Sequence, residues 1–161
     1  MRIKRIEIEN FLCYYGKSSI TFDYGPTIII GQNNTGKSKL FDAFNWVLYD
    51  KAFKTTIEEW KRTSDWKEEL VNNFAKSKIK IGDCITTEIT LEFDDEESNS
   101  YLLSREYSII KRSENNWDCP KQSETSLSKK EPISNNYQDY YNSDAEDQIR
   151  LLFPLDFHEL K

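Results

Sequence analysis

The sequence predicts an α/β fold: a mixed sheet with an antiparallel, β-rich portion, and a helix that follows a glycine-rich loop. Three observations carry this. A short β-branched run, Thr27 to Ile30, ends directly at Gly31 and the loop GQNNTGKS. Behind the loop, Leu40, Phe41, Phe44, Val47 and Leu48 recur at three- and four-residue spacing, the period of a helix with one apolar face. Farther on, Ile85, Thr87, Ile89, Leu91 and Phe93 alternate strictly with polar residues. After the acidic turn DDEESNS the run YLLSREYSII returns, as in a hairpin.

The remaining elements follow in chain order. Ile3, Ile6 and Ile8 fall among charges, a pattern suited to a half-buried strand, and Ser18 to Phe22 repeats the β-rich composition. Gly16 between them can turn the chain, so these two strands pair antiparallel. Thr27 to Ile30, unbroken and β-branched, reads as a strand buried on both faces in a parallel or mixed sheet. The helix after the loop should end near Tyr49 to Ala52. Residues 54–80 mix aromatic and charged side chains and read as an insertion, helical or partly ordered. Residues 111–142, rich in Ser, Asn and Lys with two prolines, read as a flexible loop. A short helix with Ser143 or Asp144 as N-cap should stop at Pro154.

Composition bounds the function. A chain of 161 residues suits one domain that buries roughly two-thirds of its unfolded surface. A net charge of -6 argues against nucleic acid held over the whole surface. Arg2, Lys4, Arg5, Lys17, Lys37 and Lys39 outnumber Glu7, Glu9 and Asp23 near the start, as on either a solvated strand edge or a DNA-facing one. Cys13, Cys84 and Cys119 have neither disulfide-framework nor metal-site spacing, so reduced thiols are expected. No run approaches the roughly 18 apolar residues of a membrane span, and the N-terminus has no signal-peptide core, so a soluble, intracellular protein is expected.

Gly31, Gly36, Lys37 and Ser38 satisfy GxxxxGK[ST], a match that chance gives in about one chain in two hundred. The strand before it and the helix after it are what phosphate chemistry requires. Glycines let backbone N–H groups turn inward as an anion nest, and the first helical turn adds unpaired donors and a positive dipole end. Gly31, Asn33, Asn34, Thr35, Gly36, Lys37 and Ser38 are therefore the candidate phosphate-binding residues. Lys37 reaches β- and γ-phosphate oxygens, and the Ser38 hydroxyl coordinates Mg²⁺. The chain has no NKxD sequence after the loop, so ATP is the expected nucleotide. A water-activating carboxylate is not evident. Asp94 and Asp95 follow ITLEF but continue into a turn, so no catalytic residue is assigned.

At this point the sequence resembles the SMC and double-strand-break-repair ATPases, whose heads are of the ABC class. MRIKRIEIENF resembles the family's opening strand, TIIIGQNNTGKS its strand and Walker A loop, and KLFDAFNWVLYD its following helix. LVNNFAKSKIKIGDCITTEITLEF, YLLSREYSI and IRLLFPLDF are similar to segments of the DNA sulfur-modification ATPase DndD and related bacterial defence ATPases. Asn34 departs from the family's usual glycine, and Leu12 stands where many relatives have Arg.

The resemblance implies that residues 1–161 are the N-lobe of a P-loop NTPase head. Its implied ligands are ATP and Mg²⁺. Its implied partners are the C-terminal half of the same head, a second head in a homodimer, DNA, and a nuclease or other effector subunit, with no membrane. A cytoplasmic or nucleoid-associated location follows. The Q-loop, signature, Walker B and switch histidine of the family have no counterpart here, His158 reading as a surface residue. Two readings stay open: an ATPase half completed by other sequence, and a non-hydrolysing, nucleotide-dependent regulatory module.

Overall fold

The computed structural model describes residues 1–32, 35–132 and 136–154. In chain order these form β1 (Arg2–Glu9), β2 (Lys17–Thr21), α1 (Lys37–Tyr49), β3 (Lys51–Lys54), β4 (Glu59–Arg62) and α2 (Thr63–Trp66). A 3-10 turn (Lys67–Leu70) leads to α3 (Asn73–Lys78), then β5 (Cys84–Asp94), β6 (Ser100–Ser113), β7 (Asn116–Asp118), β8 (Glu124–Lys130), β9 (Tyr137–Tyr141) and α4 (Ser143–Leu152). Seven strands make one sheet in the order β2-β1-β5-β6-β8-β9, with β7 also on β6, and β3 and β4 form a separate hairpin.

The period-2 pattern sorts the sheet into two unlike faces. Ile6, Leu91, Leu103 and Leu127 lie in one cross-strand row on the inner face. Against that face lies α1, burying Leu40, Ala43, Trp46 and Val47, with the Trp46 ring stacked on Phe11 at 5.3 Å between centroids. The helix ends where Asp50 turns left-handed (φ 55°) and donates its N–H to the Trp46 carbonyl. Its apolar stripe is rotated from the expected one: Phe41 is about half exposed, while Asp42 and Asn45 are buried.

A guanidinium sits within this inner face. Arg105 lies in register between Ile89 and Thr125 and is 2% exposed. Its Nε donates to the Val47 carbonyl (3.2 Å), Nη1 to Ser123 Oγ (2.9 Å) and Nη2 to Glu146 Oε1 (2.5 Å), while Asp50 Oδ1 lies 3.9 Å from Nη1. Thr125 also donates to Glu146 (3.0 Å), Ser123 to Asp50 (3.2 Å), and Thr63 to Asp50. Burying a cation is tolerable only with its donors matched. Here the partners come from the last turn of α1, the approach to β8 and the first turn of α4, so one side chain joins three elements.

The outer face is acidic. Glu9, Glu88, Glu106 and Glu124 stand directly opposite one another on four adjacent strands. Partial burial, and then the Glu124 and Glu88 charges, push the Glu106 carboxyl above its ordinary range. At the end of β1 a bulge between Ile3 and Arg5 keeps Ile3 opposite Phe93 and turns Lys4 and Arg5 toward Glu92. Lys4 Nζ lies 3.2 Å from Glu92 and 3.3 Å from Asp94, Arg5 Nε 3.6 Å from Glu92, and Lys17 Nζ 3.0 Å from Glu7. Lys4, Arg5 and Lys17 are thus matched by carboxylates, while the Arg2 guanidinium lies over the Tyr24 ring, 3.4 Å from its centroid. The solvated-edge reading fits them.

Four expectations are corrected. Thr27 to Ile30 is not a buried strand. It pairs with no strand among the described residues, and Ile28 and Ile30 are 81% and 88% exposed, because no second layer or neighbouring strand is at hand to cover them. The described strand pairs are accordingly antiparallel throughout, and the parallel component of the expected mixed sheet is not formed.

Residues 54–80, expected as a helical or partly ordered insertion, are helical in part and contribute to the core. They continue the β3–β4 hairpin into two short helices and bury Trp66, Leu70, Val71 and Ala75. Charged residues hid this, because four apolar anchors suffice when their neighbours stay in water. The stretch 111–142 is not a flexible loop. It carries β7, β8 and β9, whose ladder bonds use backbone groups that composition does not report, with Thr125 and Leu127 facing inward. Finally, the residue before α4 is Asn142, one position ahead of the expected cap.

Replacing Arg105 with Met should destabilise the fold by about 3 kcal/mol, since Asp50 and Glu146 lose their cation while half-buried. Urea unfolding measures this, and a loss near zero would show that the network is fully solvated. Glu106→Gln should stabilise the protein by about 0.5 kcal/mol at neutral pH. The sign follows from the raised carboxyl: the folded form binds its proton more tightly, so the strain exists above the folded pKa and disappears as pH falls through the carboxylate range. The advantage of Gln should therefore close on acidification in the same assay.

Candidate phosphate-binding site

The loop and the start of α1 form the candidate site. Gly36 caps α1 in the left-handed region (φ 89°), with no side chain bonding the first-turn N–H groups and no acidic residue in that turn. Lys37 and Lys39 occupy the turn instead. Alone, that is unfavourable, because a helix N-terminus is the positive end of the dipole and favours carboxylates. An uncapped N-terminus with cations beside it is suited to an anion.

Lys37 is folded back over the loop. Its Nζ donates to the Gly31 carbonyl at 2.6 Å and to the Gln32 carbonyl, and lies 3.5 Å from Thr35 Oγ1. Thr35 Oγ1 donates to the Gln32 carbonyl at 2.8 Å. The loop therefore closes around its own ammonium group, and phosphate oxygens are the natural replacement for these carbonyls. A Cβ built on Gly31 would lie 2.9 Å from Thr35 Oγ1 and within 3.8 Å of Lys37 Nζ, so glycine is what leaves the cradle open. Ser38 is exposed in the first turn. Asn33 and Asn34 lie outside the described residues, as does His158.

Lys39 is removed from the loop by Asp42, which the sequence reading passed over. Lys39 Nζ donates to Asp42 Oδ2 (2.7 Å) and to the Phe53 carbonyl (3.2 Å), and Asp42 Oδ1 accepts the Phe53 N–H (3.2 Å). The buried Asp42 thus ties α1 to β3, and of the two lysines Lys37 is the one that lies over the loop.

A second wall comes from the β1–β2 connection. Cys13 Sγ would lie 3.1 Å from a Cβ on Gly36, and Tyr14 Oη donates to the Gly36 carbonyl at 3.2 Å. Partial burial pushes the pKa of both groups up, so Cys13 stays a thiol and Tyr14 a donor. This connection is pinned from residues 70–72: the Leu12 N–H donates to the Leu70 carbonyl (2.9 Å), Asn72 Nδ2 to the Leu12 carbonyl (2.7 Å), and the Asn72 N–H to the Asn10 carbonyl (2.7 Å). Asn72 also caps α3 by accepting from Phe74 and Ala75. No sequence signal near the loop reveals this support, because it arrives from nearly sixty residues away. Leu12 contributes backbone here.

Asp94 and Asp95 are held in the β5–β6 turn. Asp94 accepts from Lys4 and Ser100, and Asp95 from Asn99, Tyr101 and the Glu97 N–H, which keep its carboxyl below the ordinary range despite opposing desolvation. They are turn-forming groups, as the sequence indicated. Among the described residues no cluster of three His, Cys, Asp or Glu could hold a metal, and no helix is long and apolar enough to cross a membrane.

Replacing Gly31 with Ala should lower phosphate-ligand affinity at least about tenfold while leaving the melting temperature nearly unchanged, because the added methyl fills an exposed cradle and not the core. Calorimetric titration with tripolyphosphate and a thermal melt together check this.

With this geometry in view, the comparisons with known proteins are specific. Residues 5–159 match the family model AAA_23, described as an AAA domain. The chain is 32% identical to the chromosome partition protein Smc of Clostridium kluyveri over 110 residues, 68% of this chain and 8% of that protein. It is 44% identical to Smc of Myxococcus xanthus over 54 residues, 34% of this chain and 4% of that protein. It is 41% identical to the DNA double-strand break repair Rad50 ATPase of Thermoplasma volcanium over 69 residues, 42% of this chain and 8% of that protein. The matches thus span less than a tenth of these relatives' length. The chain belongs to the AAA_23 family, as an SMC-like, ABC-class ATPase N-terminal region.

Proposed function

We propose that this chain is the ATP- and Mg²⁺-holding N-lobe of an SMC-like ATPase head, acting on DNA in chromosome partition, repair, processing or anti-phage defence. The uncapped, lysine-bearing N-terminus of α1 carries the reading, since that arrangement favours an anion. Backbone donors of Gly31 and of Thr35 to Ser38 would cradle the phosphates, and the motif adds Asn33 and Asn34, outside the described residues, as phosphate-binding positions. Lys37 exchanges the carbonyls of Gly31 and Gln32 for β- and γ-phosphate oxygens. The exposed Ser38 hydroxyl would supply one ligand to Mg²⁺. Bound there, the ion would supply positive charge to offset that of the phosphates.

Hydrolysis is completed by residues outside this lobe. Asp94 and Asp95, the carboxylates considered for that role, are committed to a turn. The exposed run Thr27 to Ile30 supports a C-terminal half of the head as partner, because three consecutive isoleucines next to the phosphate loop are suited to a central strand. A second head in a homodimer, closing on ATP and opening after hydrolysis, is the mode of action carried over by likeness. DNA and an effector nuclease belong to the same proposal. The glutamate row argues that DNA does not lie on the outer face of the sheet, where its phosphates would meet like charge.

The chain alone should bind Mg²⁺-ATP and hydrolyse it negligibly, and addition of the C-terminal half should produce DNA-stimulated hydrolysis that Lys37→Ala abolishes. Calorimetry and a phosphate-release assay read the two steps. Binding without hydrolysis in the joined protein would favour the regulatory-module reading, and no Lys37-dependent binding at all would overturn the nucleotide assignment.

A further inference from the structure

The β1–β2 connection has no catalytic group, yet its Cys13 and Tyr14 reach Gly36 at the end of the phosphate loop. We infer that Tyr14 is a positioning residue for the phosphate cradle: its hydroxyl fixes the peptide that follows Gly36, and with it the direction of the first N–H groups of α1. This rests on the nucleotide-binding reading above and deepens it.

The argument begins with Gly36. Its φ of 89° is a conformation that side chains rarely adopt, and it is what aims the chain from the loop into α1. The peptide linking Gly36 to Lys37 shares a plane between the Gly36 carbonyl and the Lys37 N–H, so fixing the one fixes the other. That carbonyl accepts twice, from the Leu40 N–H at 3.0 Å as the first helical bond and from Tyr14 Oη at 3.2 Å. The helical bond alone forms in any α-helix. The tyrosine bond comes from another element and removes the peptide's remaining freedom to rock.

Tyr14 is itself well held. Its N–H donates to the Phe11 carbonyl at 2.8 Å, and Phe11 is fully buried against Trp46. Asn10 closes the same turn by accepting the Gly16 N–H (3.0 Å), and Asn72 holds Leu12 from the opposite side. Because partial burial pushes its pKa up, the hydroxyl keeps its proton at neutral pH. A rigid turn therefore presents one neutral donor to one carbonyl of the loop. Cys13, against the Gly36 Cα, blocks the glycine from shifting toward the turn.

The role is separable from base contact and from stability. Tyr14→Phe keeps the ring and removes the hydroxyl. The affinity of the variant for Mg²⁺-ATP and for tripolyphosphate, measured by calorimetric titration on the full chain, should fall by the same factor, roughly 3- to 10-fold. The melting temperature of the ligand-free protein should stay within about 2 °C of the parent. Unchanged affinities overturn the inference. A loss for ATP but not for tripolyphosphate overturns it too, assigning Tyr14 to the base, and equal losses with a large drop in melting temperature make its role structural. The underlying reading fails separately: a parent protein that binds neither ligand, or binds them equally well as Lys37→Ala, has no phosphate cradle for Tyr14 to position.

Discussion

Arg105 is the constraint on which the rest of this structure depends. It stands in the middle of an apolar face, where a guanidinium is admissible only if every donor is met, and the groups that meet it come from elements far apart in sequence. Its bond to the Val47 carbonyl also satisfies an acceptor that the last turn of α1 would otherwise leave open, at the end of the helix that favours a cation. The C-terminal end of α1 is thereby fixed to the sheet. A helix of 13 residues is about 20 Å long, so the position of its other end, where the phosphate loop begins, follows from that anchor.

Charge is distributed with the same asymmetry. On the outer face, carboxylates face one another across four strands, while Lys4, Arg5 and Lys17 pair with the neighbouring Glu92, Asp94 and Glu7. At the start of α1 the sign reverses. No carboxylate enters the first turn, and the lysine nearest the loop finds only carbonyl and hydroxyl oxygens. A protein that is acidic in total thus keeps one terminus available to an anion, through placement and not through net charge.

The site is held from two directions. Asp42 joins α1 to the β3–β4 hairpin and takes Lys39 out of competition for the ligand, while Asn72 and Tyr14 hold the loop from the side of β1. The segment between α1 and β5 supplies much of this support. Its short helices bury few residues, but those residues back the turn that touches Gly36.

Local signals determined the elements whose period or motif is written in consecutive residues. The helix from Lys37 to Tyr49, the pairs β1–β2 and β5–β6, and the phosphate loop itself could be read in this way, because side-chain period and glycine placement act over a few residues. What only the tertiary structure decided depends on partners distant in the chain. Nothing adjacent to Arg105 marks it as buried, since its counter-charges lie at Asp50 and Glu146. The polar strands β8 and β9 form because β6 offers a ladder to β8 and β8 offers one to β9, and backbone hydrogen bonds leave no trace in composition. Conversely, Thr27 to Ile30 has the sequence of a central strand and remains uncovered, since a strand is made by its neighbours as much as by its own residues.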